Sequence, residues 1–216
     1  MLLESGRRAC RPVVQACASV YGVIDRLPNG NNFDVIASAV RRFRWRPEVQ
    51  ANQIHSPQRI APYAVALEAE IDSPGDAEAT ASGRLVILHN PAGEEAWDGS
   101  TRVVSLTQAE VEFEMANDPL LPDVAWSWLT DALDNAGAGY TATSGTVTTM
   151  TSRSFGGLDA KPDRAEVEVR CSWTMTDEAD TTAHVGAWQE LLCQLAGLEP
   201  LADSVISLGR RAKGWG

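Results

Sequence analysis

From Ala165 to Met175 every second residue is apolar or small: Ala165, Val167, Val169, Cys171, Trp173 and Met175 alternate with Glu166, Glu168, Arg170, Ser172 and Thr174. A period of two fits a pleated strand and no helix, so this segment must have one dry face and one wet face. A sheet with one dry face needs something apolar to cover it. The same period recurs in Tyr63, Val65, Leu67, Ala69 and Ile71, with Ala64, Ala66, Glu68 and Glu70 between them. Leu85, Val86, Ile87 and Leu88 are apolar at both parities, which predicts a strand that is central or covered on both sides. In residues 101–115, Val104 and Leu106 are even while Val111, Phe113 and Met115 are odd, so a bulge or break is expected near residues 107–109. Threonine and small residues from Tyr140 to Thr151 read as a further strand.

The covering layer is helical. Phe33, Ile36, Ala37, Val40 and Phe43 fall at helical spacing after the Pro28-Asn29-Gly30-Asn31-Asn32 break, with Arg41, Arg42 and Arg44 on the other side and Pro47 as the stop. A second helix opens after Asp118-Pro119 on the stripe Ala125, Trp128, Leu129, Ala132 and Leu133, and Gly137 ends it. A third takes Asp180 as its cap and runs through His184, Trp188, Leu191, Leu192 and Leu195 to Gly197. The order α-β-β-β-α-β-β-α, with short connections, predicts an α+β domain: an antiparallel sheet of about five strands with helices packed on one face. The domain is expected to span residues 32–208. Residues 1–31 read as an extension, either disordered or holding a short amphipathic helix, and residues 209–216 as a basic tail.

Charge narrows the functions. Lys and Arg number 18 against 29 Asp and Glu, a net charge of −11, so a bare nucleic acid is an unfavourable primary partner. The charge is uneven: residues 1–60 hold nine Arg and four acids, residues 209–216 hold three bases, and the stretch between holds six bases and 25 acids. With 44% hydrophobic residues and seven Trp the chain can fill a core, and no apolar run is long enough to span a membrane as a helix. Cys10, Cys17, Cys171 and Cys193 form neither a CxxC pair nor a zinc spacing and read as reduced, small apolar residues. The apolar run before Cys17 is too short for a signal sequence.

Several phrases in order carry a family resemblance: Pro57-Gln58-Arg59-Ile60-Ala61-Pro62-Tyr63-Ala64, Arg84-Leu85-Val86-Ile87-Leu88-His89-Asn90-Pro91-Ala92-Gly93, Asp118-Pro119-Leu120-Leu121-Pro122 with Trp126-Ser127-Trp128-Leu129, Ser144-Gly145-Thr146-Val147-Thr148, Ser154-Phe155-Gly156-Gly157 and Ser172-Trp173-Thr174. The chain resembles, over roughly residues 33–208, the actinobacterial family catalogued as domain of unknown function three thousand. That resemblance implies a cytoplasmic protein of uncharacterised role and brings no catalytic residue with it.

Motifs for common chemistries are missing from the sequence: it has no GxGxxG, no GxxxxGK[ST], no GxSxG and no HExxH. Two constellations remain. His89 closes an apolar strand five residues before Glu94, and with Glu95, Arg153 and Ser154 it could form an acid–base or metal site at the strand-end loops. The second is a ladder of carboxylates on the wet face of the sheet: Glu68, Glu70, Glu110, Glu112, Glu114, Glu166 and Glu168. Like charges directly opposite are unfavourable, so register, solvent, the interleaved Arg170 or an outside cation must offset such a ladder. Trp97 and Trp126 lie off the buried stripes, where a tryptophan marks either an interface or a second packing layer in which Trp126 meets the loop of Trp97. The reading that fits best is a non-enzymatic binding or adaptor module, self-associating as a homodimer. It would hold a protein or basic peptide through Glu112, Glu114, Glu166, Glu168, Trp97 and Trp126, with no cofactor and no resident metal. The alternatives are a hydrolase or metal-dependent enzyme around His89, Glu94 and Glu95, and a nucleic-acid accessory factor using the basic ends.

Overall fold

Alternating segments become strands only when their backbone groups find partners, and here six of them do so in one sheet. The computed structural model describes residues 30–72, 79–158, 162–176 and 179–199. The strands are β1 Val49–Ile54, β2 Tyr63–Asp72, β3 Ala79–Glu94, β4 Gly99–Glu110, β5 Tyr140–Ser152 and β6 Arg164–Met175. They lie in the order β1-β2-β3-β4-β6-β5, and each neighbouring pair is antiparallel. The helices are α1 Gly30–Arg42, α2 Phe113–Ala116, α3 Leu121–Asn135 and α4 Thr181–Leu195. The α+β class stands, with six strands in place of the five that periodicity predicts. The proposed helix in residues 1–31 and the basic tail at residues 209–216 lie outside the described residues, apart from the start of α1.

The extra strand is β1. Its sequence, Val-Gln-Ala-Asn-Gln-Ile, buries Val49 alone and leaves Gln50, Asn52 and Gln53 exposed, so its apolar signal is weak. Pairing with β2, from Val49 opposite Ile71 to Ile54 opposite Ala66, makes it a strand. β3 is central as predicted, held between β2 and β4.

β4 departs from expectation in two ways. Its pairing with β3 runs unbroken from Ala81 opposite Ala109 to His89 opposite Thr101, so the bulge expected near residues 107–109 does not occur. The dry face uses the odd positions Thr101, Val103, Ser105, Thr107 and Ala109, and Val104 and Leu106 turn outward. Small residues suit that inner face because Trp188 of α4 presses on the neighbouring strand: a methyl added at Gly83 would stand 2.8 Å from Trp188 Cζ2. β4 ends at Glu110, and Phe113–Ala116 is helical.

Helix ends follow their local chemistry. Asp180 caps α4 by accepting from the Thr182 amide at 2.9 Å. Gly137 and Gly197, both at positive φ, end α3 and α4, and the Ala138 and Leu198 amides bond back to Leu133 and Cys193 at 2.9 Å each. Those are Schellman closures, which need the left-handed residue that glycine adopts at no steric cost. α4 buries His184, Val185, Ala187, Trp188, Leu191, Leu192, Cys193 and Leu195. A helix so apolar around its circumference must be enclosed, and α4 packs on β3 and β4 with α1 and α3 at its sides.

Gly145 fixes the approach of β5. A Cβ there would collide with the Arg170 carbonyl oxygen, lie 2.7 Å from Trp126 Cζ3 and 3.0 Å from Cys171 Cα. Two of these neighbours are backbone, which cannot swing aside. Gly145→Ala is therefore expected to destabilise the fold by about 1–3 kcal/mol. A denaturation midpoint equal to that of the unchanged protein would refute this close packing.

Candidate functional site

With the helices on one face, the even residues of β2, β3, β4 and β6 form the other, on which Ala66, Leu88 and Thr174 are nonetheless buried. Antiparallel register sets them in rows. One row runs Glu68, Arg84, Leu106, Arg170 and Thr146, a second Glu70, Ser82, Gln108, Glu168 and Thr148, and a third Ala66, Val86, Val104, Ser172 and Ser144. Glu110 faces Glu166, with Met150 beyond.

The carboxylate ladder is thus interrupted. Arg84 reaches Glu68 at 3.9 Å, and Arg170 holds Glu168 at 2.7 Å while Gln108 donates to the same carboxylate at 2.9 Å. Those bonds, the Arg170 guanidinium first, keep the Glu168 carboxyl below its ordinary range against the opposing effect of burial. Arg102 is spoken for: it donates to the Ala142 carbonyl and to Ser144, Ser172 and Thr174 hydroxyls at 2.7–3.1 Å. Glu112 and Glu114 do not join the ladder. The strand has ended, and they stand at the N-cap and first turn of α2.

What the face presents is a shallow trough. A depression of about 580 Å³ is floored by Val86, Val104 and Leu106 and bordered by Arg84, Arg170 and Ser144. It continues into one of about 290 Å³ at Glu68 and Glu70, and one of about 160 Å³ lies beside Glu110, Arg164 and Glu166. Val104 is 40% exposed on this floor. The trough therefore has an apolar, arginine-bordered centre and a carboxylate-rich end. The signal for it in the sequence was the parity of Val104 and Leu106, which reads as a broken strand until β4 is known to be regular.

The enzyme candidates do not converge. His89 is odd in β3 and turns to the helical side, 1% exposed, its Nδ1 2.8 Å from Thr101 Oγ1 and its ring against Phe33 and Tyr63. Burial pushes its pKa down. Glu94 and Glu95 stand exposed at the tip of the β3–β4 hairpin, where Asn90 donates to Glu94 Oε2 at 3.3 Å. Arg153 lies at the opposite end of the sheet, 3.5 Å from Asp163 and over the Phe113 ring, with Ser154 next to it. Among the described residues no three His, Cys, Asp or Glu side chains are placed to hold a metal ion. Cys171 and Cys193 are free and buried, their thiols pushed up to about 12 and about 11 by burial.

The aromatic candidates separate as well. Trp126 is half-buried against the core and over Gly145, and Trp97 is half-buried in the hairpin, its carbonyl accepting from Thr174. Arg46, which follows the basic run at the end of α1, is buried: its amide bonds Gln189 at 2.8 Å, and its guanidinium bonds Glu48 and the Glu199 carbonyl. Arg41, Arg42 and Arg44 remain exposed. Of the basic ends in the nucleic-acid reading, residues 1–29 and 209–216 lie outside the described residues.

The family model described as protein of unknown function, DUF3000, matches residues 29–206. The chain belongs to that family. The DUF3000 match covers every strand and helix described above, so the sheet, its open face and the trough all lie within the matched region. Comparison with curated proteins and with solved structures gives no match. Among the described residues no helix is long and apolar enough to cross a membrane.

Proposed function

We propose that this DUF3000 chain is a non-enzymatic binding module of the cytoplasm that holds a protein segment in the trough on its open face. The single observation that carries this reading is the apolar floor on which Val104 is exposed between half-buried Val86 and Leu106, continuous with the carboxylates of Glu68 and Glu70 and near the Glu110–Glu166 pair. Exposed aliphatic side chains in a concave surface gain by being covered, and polar groups around them supply orientation. Glu110 and Glu166 face one another, a pairing that costs a few tenths of a kcal/mol and that a partner's Lys or Arg relieves. The favoured ligand is therefore a peptide stretch with two or three apolar side chains followed by basic ones. The cytoplasmic placement rests on the two buried free thiols and the family resemblance.

The test is selection from a displayed random-peptide library on the full chain. The expected winners pair apolar residues with Lys or Arg, and their affinity should fall about tenfold or more in Glu110→Lys/Glu166→Lys and in Leu106→Asp. Peptides that bind all three proteins equally would place the site elsewhere and end the proposal.

A further inference from the structure

The two edges of the sheet are built differently. β1 is six residues long and stands between Pro47 and Pro57. Short strands and flanking prolines are ways of closing an edge to further pairing. β5 is thirteen residues long, and from Tyr140 to Ser152 it holds no proline and no charged residue. Its irregularity is confined to its start, where the register shifts between Thr141 and Ser144 and Ala142 takes a positive φ. Residues 144–152 pair regularly with β6 on one side. Among the described residues no strand pairs with β5 on the other.

A second observation concerns the surroundings of that edge. Among the described residues eight large apolar side chains are exposed, and of these Met115, Leu120, Val124, Met150 and Phe155 belong to α2, the start of α3, β5 itself and the loop that follows it. α2 and α3 both pack on β5, so these five gather at one side of the molecule. An unprotected edge with apolar neighbours is a pairing surface.

We propose that two copies of this chain join through β5, each strand pairing antiparallel with its counterpart about a two-fold axis normal to the sheet. Such an axis reverses the strand and keeps the faces, so two six-stranded sheets become one, with helices on one side and both troughs on the other. Charge selects a second copy as the occupant. Two chains of −11 repel, yet β5 brings threonine and serine against threonine and serine with no carboxylate on either strand. β1 cannot serve as the complementary edge, so the contact closes as a dimer and does not propagate. A specific interface needs on the order of 1,200 Å² in total, more than a strand edge supplies, which gives the flanking apolar side chains their part. This pairing goes beyond the ligand-binding reading and does not depend on it.

The experiment is light scattering on the eluting full chain, beside the variant Thr148→Lys/Met150→Lys. Both positions are exposed on the open face opposite Glu168 and Glu166, so lysines there suit the monomer and repel across the two-fold axis. The unchanged chain should elute at twice its 23.3 kDa mass and the variant at 23.3 kDa with the same circular dichroism spectrum. A monomeric unchanged chain, or a dimer that survives both lysines, overturns the proposal. Should the variant fail to fold, hydrogen exchange of the unchanged chain decides. The β5 amides should exchange more slowly in concentrated than in dilute solution, and concentration-independent rates would overturn it.

Discussion

Trp188→Ala is expected to cost about 3–5 kcal/mol, a large share of the roughly 5–15 kcal/mol that holds a domain together. The indole is fully buried, lies edge-on to Trp45 at 5.9 Å between centroids, and fills the space that Gly83 leaves on β3. No small residue nearby can collapse into the gap, because the opposite wall is sheet backbone. Its Nε1 has no partner among the described residues, so Trp188→Phe removes a buried donor along with some volume and should cost much less than the alanine change. Urea titration followed by far-ultraviolet dichroism measures both. Equal midpoints for the alanine variant and the unchanged chain would mean that α4 is not seated on the sheet as described.

Acidification from pH 6.5 to about pH 4 should remove roughly 3 kcal/mol of stability through His184 alone. The ring is fully buried, and its Nδ1 accepts from Trp173 Nε1 at 3.0 Å, so the neutral ring carries its proton on Nε2. A second proton must go to Nδ1, which breaks the Trp173 bond and charges a ring enclosed by apolar side chains. Burial accordingly lowers the His184 pKa to about 4 from 6.5, opposed by the Asp180 charge and the Gly139 carbonyl. Because the folded pKa is the lower one, the unfolded chain binds more protons between these values. Stability is complete above pH 6.5 and falls as the pH descends to about 4. His89, also lowered by burial, pulls in the same direction. Denaturation midpoints at pH 7, 5.5 and 4.5 test this, with His184→Gln as the control that keeps an acceptor for Trp173 and should flatten the slope. A slope unchanged in that variant would assign the pH dependence to other groups.

The candidate face was legible in part. Parity placed Glu166, Glu168 and Arg170 on the wet side of β6, and the pleat put them there. It did not show that Arg84 stands opposite Glu68 or Gln108 opposite Glu168, because those neighbours are set by register between strands far apart in the chain. Glu112 and Glu114 were assigned to the ladder on alternation that continues past the end of β4. The odd residues Val111 and Phe113 serve a turn and a short helix instead. His89 illustrates the opposite case. Its position at an apolar strand's end suggested chemistry, and the register set it across from Tyr63 and Thr101 on the helical side, away from Glu94 and Glu95.

By itself, the sequence determined that β2, β3, β5 and β6 are extended, which face of β2 and β6 is dry, where α3 and α4 stop, and the membership of an α+β class. Those properties are local: a period of two or 3.6, a capping carboxylate, a glycine that accepts a positive φ. Only the tertiary structure decided that β6 inserts between β4 and β5. That one choice makes β5 an edge, aligns Arg170 with Leu106 and Arg84, and opens the trough. Strand order is a choice among partners separated by long stretches of chain. It is settled by which arrangement lets α4 bury Trp188, Leu191 and Leu192 against the middle of the sheet, and no local pattern records that energy.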